Sequence, residues 1–173
     1  MIFSYLFGMP NTPWSLRILA FLFSAIAVVC TLSVHELSHG LAACVCGDDT
    51  AKTQGRISLN PLRHLDISGA VMLMLFGFGW AKPVIINPYR FRHAKAGTII
   101  TAAAGSLSNF ILALFGFFFY YLLNFAFPTN EILANVAFFF YVLAVISTGL
   151  GVFNLIPLPP LDGSRILGEL LPY

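Results

Sequence analysis

The sequence predicts an all-α polytopic membrane protein with three to four transmembrane helices plus a re-entrant or interfacial segment. A short β-strand is expected in a polar loop. Composition and the spacing of the charges carry this prediction. Of 173 residues, 58% are hydrophobic and 9% charged, and the mean hydropathy is +0.86. A soluble domain carries about 25% charged residues, so this composition excludes a soluble domain, a disordered tail and a disulfide scaffold. A net charge of +2 offers no polyanion-binding surface, and no nucleic-acid partner is expected. The 18 Phe, 14 Gly and 10 Pro suit a lipid solvent, in which Gly and Pro are more frequent in helices than in water.

A helix needs roughly 20 mostly apolar residues to cross about 30 Å of hydrocarbon. Runs free of Asp, Glu, Lys and Arg hold 18 residues after Arg17, 35 after Lys95 and 30 after Glu131. Each can span. The run from Ile67 to Ala81 holds only 15 residues and is interrupted by Gly69, Gly77 and Gly79, so it reads equally as a span or as a re-entrant segment. The last run is broken at Pro157, Pro159 and Pro160, and such backbone is tolerated at membrane depth only where it is buried in protein or lines a wet cavity. No Lys or Arg precedes Arg17, so the first run lacks the basic start of a signal sequence. Thr53 to Leu59 alternates weakly before the Asn60-Pro61 turn and is the expected strand. The chain reads as one domain over residues 1–173. Cys30, Cys44 and Cys46 are expected as free thiols, at least for the last two.

His35-Glu36-Leu37-Ser38-His39 lies on the first span. Four residues turn a helix by about 400°, so both imidazoles leave one face a turn apart. That spacing suits two nitrogens on one tetrahedral zinc. Glu36 sits about 100° round the helix, close enough to take a proton from a metal-activated water without being a ligand. Such groups are costly at membrane depth and call for a partner or a function. A catalytic zinc usually takes three protein ligands. The remaining candidates are His64, His93, Asp48, Asp49, Asp66, Glu131, Asp162 and Glu169. His35 lies about 27 Å along the helix from Arg17, near the far boundary. Asp162 follows the last span at the same boundary. Asp66 and His64 share that depth but lie in a polar loop, and Glu131 is at the opposite face. Thr101, Gly105 and Asn109 recur every fourth residue on the third run, a small polar face for close helix contact. Phe117 to Tyr121 form a bulky lipid-facing or interfacial belt beyond it.

His35 to Gly40 (HELSHG), Asn60 to His64 (NPLRH), Gly79 to Pro83 (GWAKP), Asn87-Pro88, Gly105 to Asn109 (GSLSN) and Asn154 to Gly163 (NLIPLPPLDG) occur in this order. Together they resemble the site-2 protease family of intramembrane zinc metalloproteases, from about residue 30 to 167. The resemblance implies one zinc per chain, held by His35, His39 and Asp162, with Glu36 as the general base. It also implies hydrolysis of a peptide bond in or near a membrane-spanning segment of a protein substrate. Asn154 is implied in placing substrate near the metal, and Asn109 is a further candidate for substrate or oxyanion support. Ser106 stands where many members carry proline. Gly69 to Ala81, with the loop around Trp80, is a candidate edge for an extended substrate strand. The competing class is a non-catalytic zinc-binding membrane protein or transporter that uses the same histidines; a transporter needs a polar path across the bilayer, which the far halves of the spans lack. A second alternative is an inactive, chaperone-like relative that binds helices without cutting them, and such a protein has no use for Glu36.

If the run from Ile67 to Ala81 does not cross, Lys52, Arg56, Arg63, Lys82, Arg90, Arg92, Lys95 and Arg165 lie on one side and Arg17 on the other. By the positive-inside rule the loop and the C-terminal segment are cytoplasmic, which places a multi-pass protein of the cell membrane with its site near the cytoplasmic face. Cysteine reporters introduced beside Lys52 and beside Arg165 are therefore expected to label from the cytoplasmic side. Labelling from opposite sides would overturn this topology.

Overall fold

The computed structural model describes residues 12–64, 66–76 and 80–171, and Gly77 and Gly79 lie outside them. The described residues form six α-helices: α1 (Trp14–Cys46), α2 (Thr50–Thr53), α3 (Ile67–Phe76), α4 (Ala94–Ala126), α5 (Glu131–Asn154) and α6 (Asp162–Leu170). Among the described residues, α1, α4 and α5 are the helices long and apolar enough to cross a membrane. Within the marginal run the described helix α3 has 10 residues and covers about 15 Å.

The three long helices pack on one another, with α4 against both α1 and α5. Small residues allow the approach, as expected where lipid supplies no hydrophobic drive between helices. At Gly116 a Cβ would lie 2.8 Å from the Phe140 carbonyl oxygen, so only hydrogen fits between α4 and α5. The Thr31 and Ser147 hydroxyls share a buried hydrogen bond of 2.8 Å, which joins α1 to α5 where water is absent. Ala27, Val142 and Leu143 form the buried apolar centre, bordered by Leu112, Phe138, Phe139, Phe140 and Ile146. The outer surface is apolar as well: Leu114 is 70% exposed, Phe125 89% and Ile132 75%. A surface of this kind is at home in hydrocarbon and not in water.

Helix ends follow local chemistry. Gly47 ends α1 at φ 112°, in the left-handed region that favours glycine. Asn130 starts α5 by accepting from the backbone N–H groups of Ile132 and Leu133, both at 3.1 Å. The two Asn-Pro pairs are one device used twice. Asn60 caps a single 3-10 turn at Pro61–Arg63, and Asn87 caps another at Pro88–Arg90.

The expected strand at Thr53 to Leu59 does not form. Thr53 closes α2, Gly55 turns the chain at φ 64°, and no strand exists among the described residues to pair with it. The Arg56 N–H instead bonds the Ala51 carbonyl at 2.9 Å. Ile67 to Phe76 is likewise helix, which leaves Trp80 and Ala81 as the described non-helical residues of the candidate edge Gly69 to Ala81. Cys30, Cys44 and Cys46 are free thiols.

Residues 80–91 are fastened to the end of α1 by Asp48, which is fully buried. Its Oδ2 accepts from the Asn87 N–H at 2.6 Å, and its Oδ1 from the Thr50 N–H and hydroxyl at 3.0 and 2.5 Å. Burial pushes this carboxyl up, but those donors and the Arg90 charge outweigh it and hold the pKa below the ordinary value. The stabilisation is thus complete above the unfolded value of about 3.9 and is lost as pH falls through the lower folded value. Asp48→Ala is expected to cost about 2–3 kcal/mol and to open residues 80–91 to protease, read by thermal melting and limited proteolysis in detergent. An unchanged melting temperature and cleavage pattern would remove Asp48 as the fastening group.

Candidate metal centre

His35 and His39 project from the same face of α1, as their spacing requires, and meet Asp162, the first residue of α6. All three are buried. The two Nε2 atoms are 3.0 Å apart, and Asp162 Oδ2 lies 3.2 Å from that of His35 and 3.1 Å from that of His39. A tetrahedral ion with bonds of about 2.05 Å separates its ligand atoms by about 3.3 Å, so this triangle is close to the size that one zinc requires.

The local fold explains how residues so distant in sequence converge. After α5 the proline-broken segment Leu155–Leu161 reverses the chain. Gly163 permits the reversal, because a Cβ there would lie 2.2 Å from the Leu155 carbonyl oxygen. Asp162 is thereby delivered to the histidines. On the other side, Gly105 of α4 lies directly against both rings. A Cβ on it would fall 2.5 Å from His35 Cε1 and 2.6 Å from His39 Nε2.

Hydrogen bonding shows what the cluster can hold. The His39 Nδ1–H donates to the Thr101 carbonyl at 2.7 Å, which leaves a lone pair on Nε2 of the neutral ring. That lone pair faces a carboxylate oxygen and a second imidazole. Burial alone would push the Asp162 carboxyl up; when the imidazoles are instead protonated on Nε2, their hydrogen bonds and charge outweigh burial and hold the carboxyl well below the ordinary range. With the Nε2 lone pairs free, the donor set of two imidazoles and one carboxylate suits zinc. Among the described residues this is the one group of three or more His, Cys, Asp or Glu side chains positioned to hold a metal.

The other candidates are placed elsewhere. His64 is buried, and its Nε2–H donates to the Ser58 carbonyl at 2.6 Å. Asp66 caps α3 by accepting from the Gly69 N–H at 3.0 Å. Glu36 is half-buried, and its Oε2 accepts from the Val84 N–H at 3.0 Å, which leaves Oε1 available. Asn154 donates to the Leu150 carbonyl one turn back at 2.9 Å. Asn109 is 1% exposed and bonds His35 Nδ1, the ring nitrogen remote from Asp162. This is an interhelical contact from α4 to α1. Thr101, Gly105 and Asn109 all face the histidines, as their four-residue spacing suggests. The Val84 N–H and the Thr101 carbonyl had no signature in the sequence, because backbone groups carry none.

The buried His-His-Asp cluster, formed by a helix long and apolar enough to span a membrane and the start of α6, has the donor set of a metal site, and the H-E-x-x-H pattern is one that zinc metalloproteases carry. The Peptidase family M50 pattern matches residues 124–172. "Putative zinc metalloprotease YwhC" of Bacillus subtilis is 40% identical over 150 residues, which cover 85% of this chain and 68% of that relative. "Putative zinc metalloprotease MJ0611" of Methanocaldococcus jannaschii is 28% identical over 164 residues, covering 95% of this chain and 76% of that relative. No solved structure matches. The chain belongs to peptidase family M50, a family of membrane metalloproteases.

Gly105→Ala tests the close approach. Overpacking of this kind costs roughly 1–3 kcal/mol, so zinc affinity measured against a chelator should fall about 10- to 100-fold. Gly149→Ala is the control, since nothing lies within 4 Å of its added Cβ, and it should bind zinc as the parent does. Equal affinity in both variants would show that α4 does not set the geometry of the centre.

Proposed function

We propose that this chain is an intramembrane zinc endopeptidase that hydrolyses peptide bonds in or near the transmembrane segments of membrane-protein substrates, as in regulated intramembrane proteolysis. The observation that carries the reading is the buried triangle of His35, His39 and Asp162, joined from a membrane-spanning helix and a proline-broken turn. In this reading those residues hold one zinc, near the cytoplasmic face of the cell membrane. Zinc bound there supplies a Lewis acid that makes water nucleophilic at neutral pH and steadies an oxyanion.

The chain's own groups do the rest. Glu36 takes a proton from the attacking water through Oε1 and passes it to the leaving amine. The Val84 N–H holds Oε2, so the carboxylate meets the reaction in a fixed orientation. Asn154 uses its amide hydrogen on Leu150 and keeps its carbonyl oxygen for a substrate N–H. A substrate helix must unwind locally, because its own hydrogen bonds shield the scissile peptide groups. The lipid-facing surface of α4 and α5 suits a substrate that arrives through the bilayer.

Glu36→Gln keeps size and a hydrogen-bonding oxygen but cannot accept the proton. The variant is expected to fold, retain zinc and bind substrate, while cleavage of a co-reconstituted membrane-spanning substrate falls by about 10²- to 10⁴-fold. Near-normal cleavage with zinc content confirmed would sink the mechanism.

A further inference from the structure

One buried amide beside the metal centre has a polar atom with no partner. The Asn109 side chain is 1% exposed, its Nδ2 lies 3.2 Å from His35 Nδ1, and its Oδ1 is buried without a hydrogen bond. An unpaired buried carbonyl oxygen is costly, by roughly 1–3 kcal/mol. The pairing that is made has a second fault. If Nδ2–H donates to His35 Nδ1, then Nδ1 supplies the lone pair and the ring proton of the neutral imidazole sits on Nε2. That nitrogen is the one 3.2 Å from Asp162 Oδ2 and 3.0 Å from His39 Nε2. A protonated Nε2 has no electron pair to offer a metal.

A half-turn of the amide exchanges its two ends. Oδ1 then takes the place beside His35 Nδ1 and accepts Nδ1–H, which leaves the Nε2 lone pair directed into the triangle. The other histidine shows the same pattern, since the Thr101 carbonyl accepts the His39 Nδ1–H at 2.7 Å. Ser106, one turn earlier on α4, has a buried hydroxyl that also lacks a partner, an acceptor at helix-neighbour spacing for the displaced Nδ2.

We infer that Asn109 is a positioning residue for the metal centre: its Oδ1 accepts the His35 Nδ1–H and holds that ring in the tautomer that ligates through Nε2. Thr101 and Asn109, two turns apart on α4, thereby set both imidazoles from the same helix face, and Gly105 between them lets the rings come close. This inference rests on the reading of His35, His39 and Asp162 as a metal site.

The test is zinc affinity of the full chain in detergent, measured by competition with a chelator, together with thermal melting of the zinc-free protein. Asn109→Leu keeps the approximate size and removes both polar ends. Asn109→Asp keeps an acceptor at the same place and removes the donor. The leucine variant should lose about 10- to 100-fold in affinity, the range seen when a group that supports a metal ligand is removed. The aspartate variant should stay within a few-fold of the parent, while its zinc-free melt reports any purely structural effect. If aspartate weakens zinc as leucine does, Asn109 acts as a donor and the inference fails. If leucine binds zinc as the parent does, the amide does not position His35. Should the leucine variant fail to fold, the aspartate variant alone decides between acceptor and donor. A parent chain that binds no zinc would overturn this inference and the metal-site reading together, whereas a zinc-binding parent with unaffected variants overturns this inference alone.

Discussion

Two imidazole nitrogens and a carboxylate oxygen held 3.0–3.2 Å apart and away from water impose the central constraint on this molecule. In a low-dielectric setting the repulsion between their electron pairs is relieved by a proton on an imidazole or by a shared cation. The features around the cluster answer that demand. Gly105 lets α4 approach the rings, Gly163 lets the chain turn so that Asp162 reaches them, and the Thr101 carbonyl selects which nitrogen of His39 is left free.

The helical frame makes such closeness possible within lipid. Association of apolar helices in a bilayer depends on packing and on interhelical polar contacts. Here Gly116 brings α4 to the backbone of α5, and the Thr31–Ser147 hydrogen bond joins α1 to α5. At 33 residues each, α1 and α4 run about 50 Å, well beyond the hydrocarbon thickness. The histidines lie in the C-terminal half of α1 and meet the Thr101–Asn109 face in the N-terminal half of α4.

The loop between α1 and α4 is part of the same design. Asp48 secures residue 87, and Glu36 receives the N–H of residue 84, so the segment between α3 and α4 is tied at both points to α1. The candidate base and the loop beside it are thus hydrogen-bonded together, and the fully buried Asp48 just past the end of α1 makes the second of the two ties.

Much of this was legible in the chain itself. Helix geometry alone puts His35 and His39 on one face, and charge-free length alone marks α1, α4 and α5 as spans. The four-residue recurrence of Thr101, Gly105 and Asn109 pointed to a contact face because period and side-chain size are properties of sequence. Depth reduced the acids to a few, but only the folded turn from Leu155 to Leu161 brings Asp162 to the histidines across more than a hundred residues. Strand or turn at Thr53 was decided by whether a partner strand stood beside it, and none does among the described residues. The groups that tertiary structure alone disclosed are the Thr101 carbonyl, the Val84 N–H and the ring nitrogen that Asn109 meets. Every residue carries the same backbone donors and acceptors, so no residue type marks the ones that matter; distance between elements selects them.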